Sequence, residues 1–227
     1  MLAGKIGLVI LLGVAVTQVL TENCDAHAVL ERYLSCTQSQ IGISDATKAT
    51  KFVIDLCQNF ECAIKCMTDK VGTCFKTDGS FIYDPVVFKV SSRVMCNHKQ
   101  KMLDVLELCS THIFENNACF STFVDQFANS YEDFLDGNYS SYKTAACNAF
   151  NTLVGCFESD PIMASGTCTS DLAAFATDVF VVSYSYSECG IAQTHDYFTT
   201  YAGDITCGAN RVAMTMAYVI SALIFVF

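Results

Sequence analysis

Pro85 and Pro161 are the only two prolines in the 227-residue sequence, and no glycine stands between positions 45 and 71. A chain with so few breakers can sustain long helices. Its apolar residues recur at three- and four-residue spacing, with no strand-like alternation, so an all-α fold is expected. Basic residues are scarce too: 13 Lys and Arg stand against 23 Asp and Glu, a net charge of −10. That balance argues against nucleic acid as a partner and against direct binding to anionic lipid headgroups.

Catalytic and metal signatures are missing. There is no Cys-x2-Cys pair, no His-Glu-x-x-His, no Gly-x-Ser-x-Gly, no P-loop and no dinucleotide fingerprint. His27, His98, His112 and His195 are not spaced as zinc ligands. Neighbouring carboxylates such as Glu132-Asp133 read as solvated helix faces. No catalytic, cofactor-binding or metal-binding residue is therefore named, and a protein that is not an enzyme is expected.

Cysteine is abundant. The fourteen are Cys24, Cys36, Cys57, Cys62, Cys66, Cys74, Cys96, Cys109, Cys119, Cys147, Cys156, Cys168, Cys189 and Cys207. An even, dense set in a secreted chain reads as a disulfide framework of up to seven bridges. Cys62-x3-Cys66 could place two thiolates on one helical face for zinc, but an oxidising route favours disulfides. Connectivity stays open at this level.

Secretion is inferred from the first residues. Lys5 precedes an apolar run over 6–16 that is too short to span a bilayer and has the shape of a signal peptide, expected over 1–21. Cleavage falls before Glu22, or before Gln18. At the other end, residues 212–227 are apolar apart from Thr215 and Ser221, behind the small cluster Gly208-Ala209-Asn210. This is the layout of a glycosylphosphatidylinositol (GPI) anchor signal. Gly208 is the expected attachment residue, Asn210 the second choice, and 209–227 the discarded propeptide. The polar spacer is short, with only Arg211 between Asn210 and the run. A permanent single-pass anchor is the competing reading, but sixteen residues rise only about 24 Å against a hydrocarbon core of about 30 Å. Residues 22–208 remain as an extracellular domain. Losing Lys5 and Arg211 with the two ends carries the net charge from −10 to −12.

Within that domain, three helices are expected to open on cysteine followed by Asp or Asn: at Cys24-Asp25, Cys96-Asn97 and Cys147-Asn148. Each ends on a second cysteine, at Cys36, Cys109 and Cys156. Each is followed by a second helix rich in phenylalanine and valine, over 46–68, 118–135 and 170–182. The expected architecture is a disulfide-rich helical bundle, with three αα-hairpin repeats or one irregular bundle as its two forms. Asp78-Gly79 and Asp136-Gly137 read as turns, 81–83 as a short extended piece, and Pro161 as the end of the helix before it. Asn138-Tyr139-Ser140 is an N-glycosylation sequon beside the second turn and should be exposed.

The spacing Cys36-x25-Cys62-x3-Cys66-x42-Cys109-x9-Cys119 is similar to the first five cysteines of insect odorant-binding proteins, which are helical carriers of small apolar ligands. The sixth position falls near 128, which here is Ala128, and no residue roles carry over.

The expectation is a GPI-anchored extracellular surface protein that acts as a binding or interaction module. Its partner would be an extracellular protein or glycan, and its contact with the membrane would run through the lipid. The alternative is a carrier whose phenylalanine stripes line a cavity for small apolar ligands. What separates the two is whether the bundle interior is filled.

Overall fold

The computed structural model describes residues 23–41, 49–115 and 117–207. These residues are largely helical, with no strand beyond an isolated bridge between Ser165 and Cys168. The protein is all-α, as its sequence predicts. The expected signal peptide, the expected propeptide, and Gly208 and Asn210 lie outside the described residues.

Helix α1 (Ala26–Ile41) starts at the residue the sequence points to. The Asp25 carboxylate accepts the backbone N–H groups of His27 and Ala28, both at 3.1 Å. Helix α2 (Ala49–Val71) packs on α1. It bends at Asn59, whose backbone leaves helical values (φ −146°, ψ 28°). The Asn59 amide donates at 3.1 Å to both the backbone and side-chain oxygens of Gln40, near the end of α1. The bend is thus tied to an inter-helix hydrogen bond and needs no proline.

Residues 81–83 are not extended, contrary to expectation. They form a 3₁₀ turn (Phe81–Tyr83) that leads into α3 (Pro85–Asn97). Asp84 caps α3 by accepting the Val86 N–H at 2.8 Å, and Pro85 occupies the first turn, where a missing N–H costs nothing. The Cys96-Asn97 pair therefore closes a helix instead of opening one. Helix α4 (Lys99–Leu108) begins after a break at His98. Cys147-Asn148 likewise lies inside α6 (Tyr139–Ser159). A capping residue must leave helical backbone values for its side chain to reach back, and both asparagines already have a helix on their N-terminal side. Helices α5 (Ala118–Leu135), α7 (Ser170–Tyr184) and α8 (Asp196–Thr200) complete the set.

The packing order is α1 on α2, α2 on α3, α3 on α7, α7 on α6 and α6 on α5. Helix α7 is buried almost all round, through Leu172, Ala173, Phe175, Ala176, Val179 and Val182. The two ends of this series meet where the ring of His27 on α1 lies 5.4 Å from that of Phe134 on α5. At the centre is Phe81, fully buried, with the rings of Tyr142, Phe150 and Tyr186 at 5.6, 6.1 and 6.1 Å. The expected hairpins α1–α2 and α6–α7 do pack as pairs, but α4 lies against α2 and α7 while the main partner of α5 is α6. A regular three-hairpin repeat is not visible.

All fourteen cysteines pair. Cys24–Cys74 and Cys36–Cys66 fasten α1 to α2 and the turn after it. Cys57–Cys96 joins α2 to α3, and Cys119–Cys156 joins α5 to α6. Cys109–Cys168 ties the end of α4 to the loop before α7, and Cys147–Cys189 ties α6 to the turn after α7. Cys62–Cys207 spans 145 residues and fastens the last described residue to α2. Next to it, Arg93 holds Glu61 through two hydrogen bonds of 2.7 and 3.0 Å. It also donates to the carbonyls of Tyr201, Gly203 and Asp204 at 2.9, 2.6 and 2.7 Å.

Candidate functional site

The aromatic residues that the sequence places on helical stripes do not close on themselves. They leave two adjoining recesses, of about 420 and 340 Å³. The larger is bordered by Leu30 and Tyr33 of α1 on one side and by Phe123, Phe127 and Phe150 of α5 and α6 on the other. Spacing of four residues puts Phe123 and Phe127 on one face of α5, where their rings stack at 5.6 Å. Phe150 packs at 5.3 Å from Phe127 and 4.9 Å from Tyr186. The smaller recess is bordered by Phe52, Leu56 and Met67 of α2 and by Val87, Phe88 and Met95 of α3. Tyr33, Ile82, Tyr184 and Tyr186 border both. The Phe81–Tyr83 turn thus supplies the middle of a common wall, and α1 and the end of α7 supply its sides.

That wall is chemically distinct from the chambers beside it. Tyr33, Tyr184 and Tyr186 each carry a hydroxyl, and none of the three makes a hydrogen bond among the described residues. Tyr83 beside them is in the same state. Burial pushes the Tyr33 hydroxyl up to about 12 and raises Tyr184 as well. For Tyr186, burial is again the main cause, with the charges of neighbouring tyrosines and of Asp84 adding to it. These phenols therefore stay protonated at physiological pH and remain available as donors. Among the described residues, no Asp, Glu, Lys, Arg or His borders either recess, and Ser91 and Ser183 are the only further side-chain hydroxyls there; Ser91 already donates to the Phe88 carbonyl at 3.3 Å.

The other residues singled out by the sequence lie elsewhere. Asn138 is exposed at the N-terminal boundary of α6, and its side chain makes no capping bond. His98 faces the Tyr201 hydroxyl at 3.3 Å, His195 lies 3.3 Å from Asp178, and His27 packs on Phe134. These three histidines thus contact different residues and do not contact one another. The recess was half legible beforehand. Its phenylalanines were visible as stripes, but Ile82, Tyr184 and Tyr186 sit in or beside loops, where periodicity gives no signal. Tyr184 and Tyr186 are the two tyrosines of the alternating stretch Ser183-Tyr184-Ser185-Tyr186-Ser187, which carries no helical periodicity.

Comparison of the chain with protein-family models, with curated proteins and with solved structures finds no match. Among the described residues no helix is long and apolar enough to cross a membrane. Seven disulfides are consistent with a secreted or extracellular protein.

Proposed function

We propose that this chain is an extracellular, disulfide-framed helical domain that binds a small apolar ligand in the paired aromatic recesses and is attached to the cell surface by a C-terminal lipid. The observation that carries the binding role is the pair of adjoining open recesses lined by aromatic side chains. Ligand sites are concave and mostly apolar, with a few placed polar groups, and volumes of about 300–1,000 Å³ are usual. The recesses of about 420 and 340 Å³ meet that description, with tyrosine hydroxyls as the polar groups. The lipid attachment rests on the small-residue cluster and apolar tail read from the sequence. Glycosylation at Asn138 is supported by its exposure beside a turn.

Titration with N-phenyl-1-naphthylamine, a neutral apolar dye, tests the binding role. Wild-type protein should enhance its fluorescence saturably at one site per chain. Leu30→Trp, which places a bulkier indole side chain in the larger recess, should weaken the dye by about ten-fold, that is by about 1.4 kcal/mol. A dye that does not bind, or one indifferent to residue 30, contradicts the site.

One further observation favours the module reading. Val124, Tyr131 and Leu135 are exposed along one face of α5, Leu135 to 60 %. Crosslinking at Tyr131 tests whether that face meets another extracellular protein.

A further inference from the structure

The two recesses and their common wall specify more than an apolar ligand, given the reading above that they hold one at all. On one side of the wall are Phe123, Phe127 and Phe150, and on the other Phe52, Leu56 and Phe88. Between them stand Tyr33, Tyr184 and Tyr186, which border both recesses, are only partly buried and make no hydrogen bond among the described residues. An occupant that displaces water from such hydroxyls must replace the hydrogen bonds the water made. The place of these residues, along the wall shared by two apolar chambers, indicates where on the occupant an acceptor would serve.

We infer that the occupant is a neutral molecule with a hydrogen-bond acceptor oxygen near its middle and an apolar limb on each side, the chemistry of an internal ester or ketone. Among the described residues, a carboxylate would find no cation in the lining of either recess. It would also lie near Asp84, whose carboxylate accepts from the Ser187 hydroxyl at 3.2 Å and is 2 % exposed. An ammonium would find no carboxylate among the described residues that border the recesses. A molecule that is apolar throughout would fill the chambers but leave the hydroxyls of the wall unpaired.

The experiment is displacement of bound N-phenyl-1-naphthylamine by four ligands of about ten carbons each: pentyl pentanoate, decane, decanoate and decylammonium. Pentyl pentanoate should displace the dye at the lowest concentration, about ten-fold below either charged compound and several-fold below decane. In Tyr184→Phe/Tyr186→Phe, its affinity should fall about five-fold while that of decane is unchanged, because the substitution removes hydroxyls and keeps the rings. The inference is overturned if decanoate or decylammonium competes as well as the ester. It is also overturned if the double variant loses nothing, or loses ester and decane alike. Failure of the dye and of all four compounds to bind overturns the ligand site itself, a separate result. Leu30→Trp provides the comparison: it should weaken the ester and decane together.

Discussion

Arg93 shows how a single side chain can hold a distant segment. It is 8 % exposed, and five of its contacts fall on Glu61 and the carbonyls of Tyr201, Gly203 and Asp204. Glu61 also accepts the Thr206 N–H at 3.0 Å. Burial works to raise the Glu61 carboxyl, but hydrogen bonds from Arg93 and Thr206, with the charges of Arg93 and Lys89, outweigh it and hold the group below its ordinary value. A carboxyl depressed in the folded state contributes stability at neutral pH, and that contribution is lost as pH falls below the ordinary Glu range. Arg93→Met should therefore lower stability by about 3 kcal/mol at pH 7, by leaving Glu61 unpaired. In acid the difference from wild type should shrink, as urea melts at the two pH values would show. An unchanged difference would contradict the coupling. The tyrosines predict the opposite end of the scale. Tyr33, pushed up to about 12, ionises more easily once unfolded, so stability should fall as pH rises above about 10. Tyrosinate absorbance should appear together with loss of helical circular dichroism. Gly79 belongs at this scale too. Its turn was legible from Asp78-Gly79, but its backbone is not left-handed; a Cβ there would come within 2.6 Å of the Ala26 Cβ. Gly79→Ala should cost about 1–3 kcal/mol through overpacking at the start of α1.

Helices were legible where a cap and a stripe agree. Residues 118–135 were expected as a helix and form α5 with those bounds, because Asn117 caps the Phe120 N–H at 3.0 Å and the phenylalanines set the inward face. Asn117→Ala should cost about 1 kcal/mol in chemical unfolding. A loss near zero would mean that packing alone fixes this end. Helix α3 was missed although Asp84-Pro85 is a strong start signal, because the cysteine-asparagine pair at 96–97 drew the boundary a whole helix too late. Helix α6 was started too late for the same reason: Cys147-Asn148 lies mid-helix, where the Asn151 amide reaches the Cys147 and Cys189 carbonyls at 2.9 and 3.1 Å. Cysteine spacing records the cross-links between elements, and in this chain it does not record where most of them begin.

Across the whole molecule, the disulfide framework holds the helices around two open recesses. The bridges run from each end of the packing series inward, and Cys62–Cys207 holds the last described residue on α2. Native bridges typically contribute about 2–5 kcal/mol each, so a domain with seven can keep its shape around recesses that a smaller number would allow to collapse. Oxidised protein denatured without reductant should take up no thiol label, and reduction should unfold it at moderate temperature. Two or more labelled cysteines would contradict the framework. The number of bridges and the all-α class could be read from composition, whereas the recess required knowing that α1 closes on α5 across the Phe81–Tyr83 turn. The most direct measurement of the central claim is native mass spectrometry of the secreted, oxidised protein. The account predicts a bound neutral molecule at one per chain, or its uptake on exposure to pentyl pentanoate, with markedly lower occupancy in Leu30→Trp in both conditions. A wild-type protein that is empty as isolated and takes up nothing would contradict it.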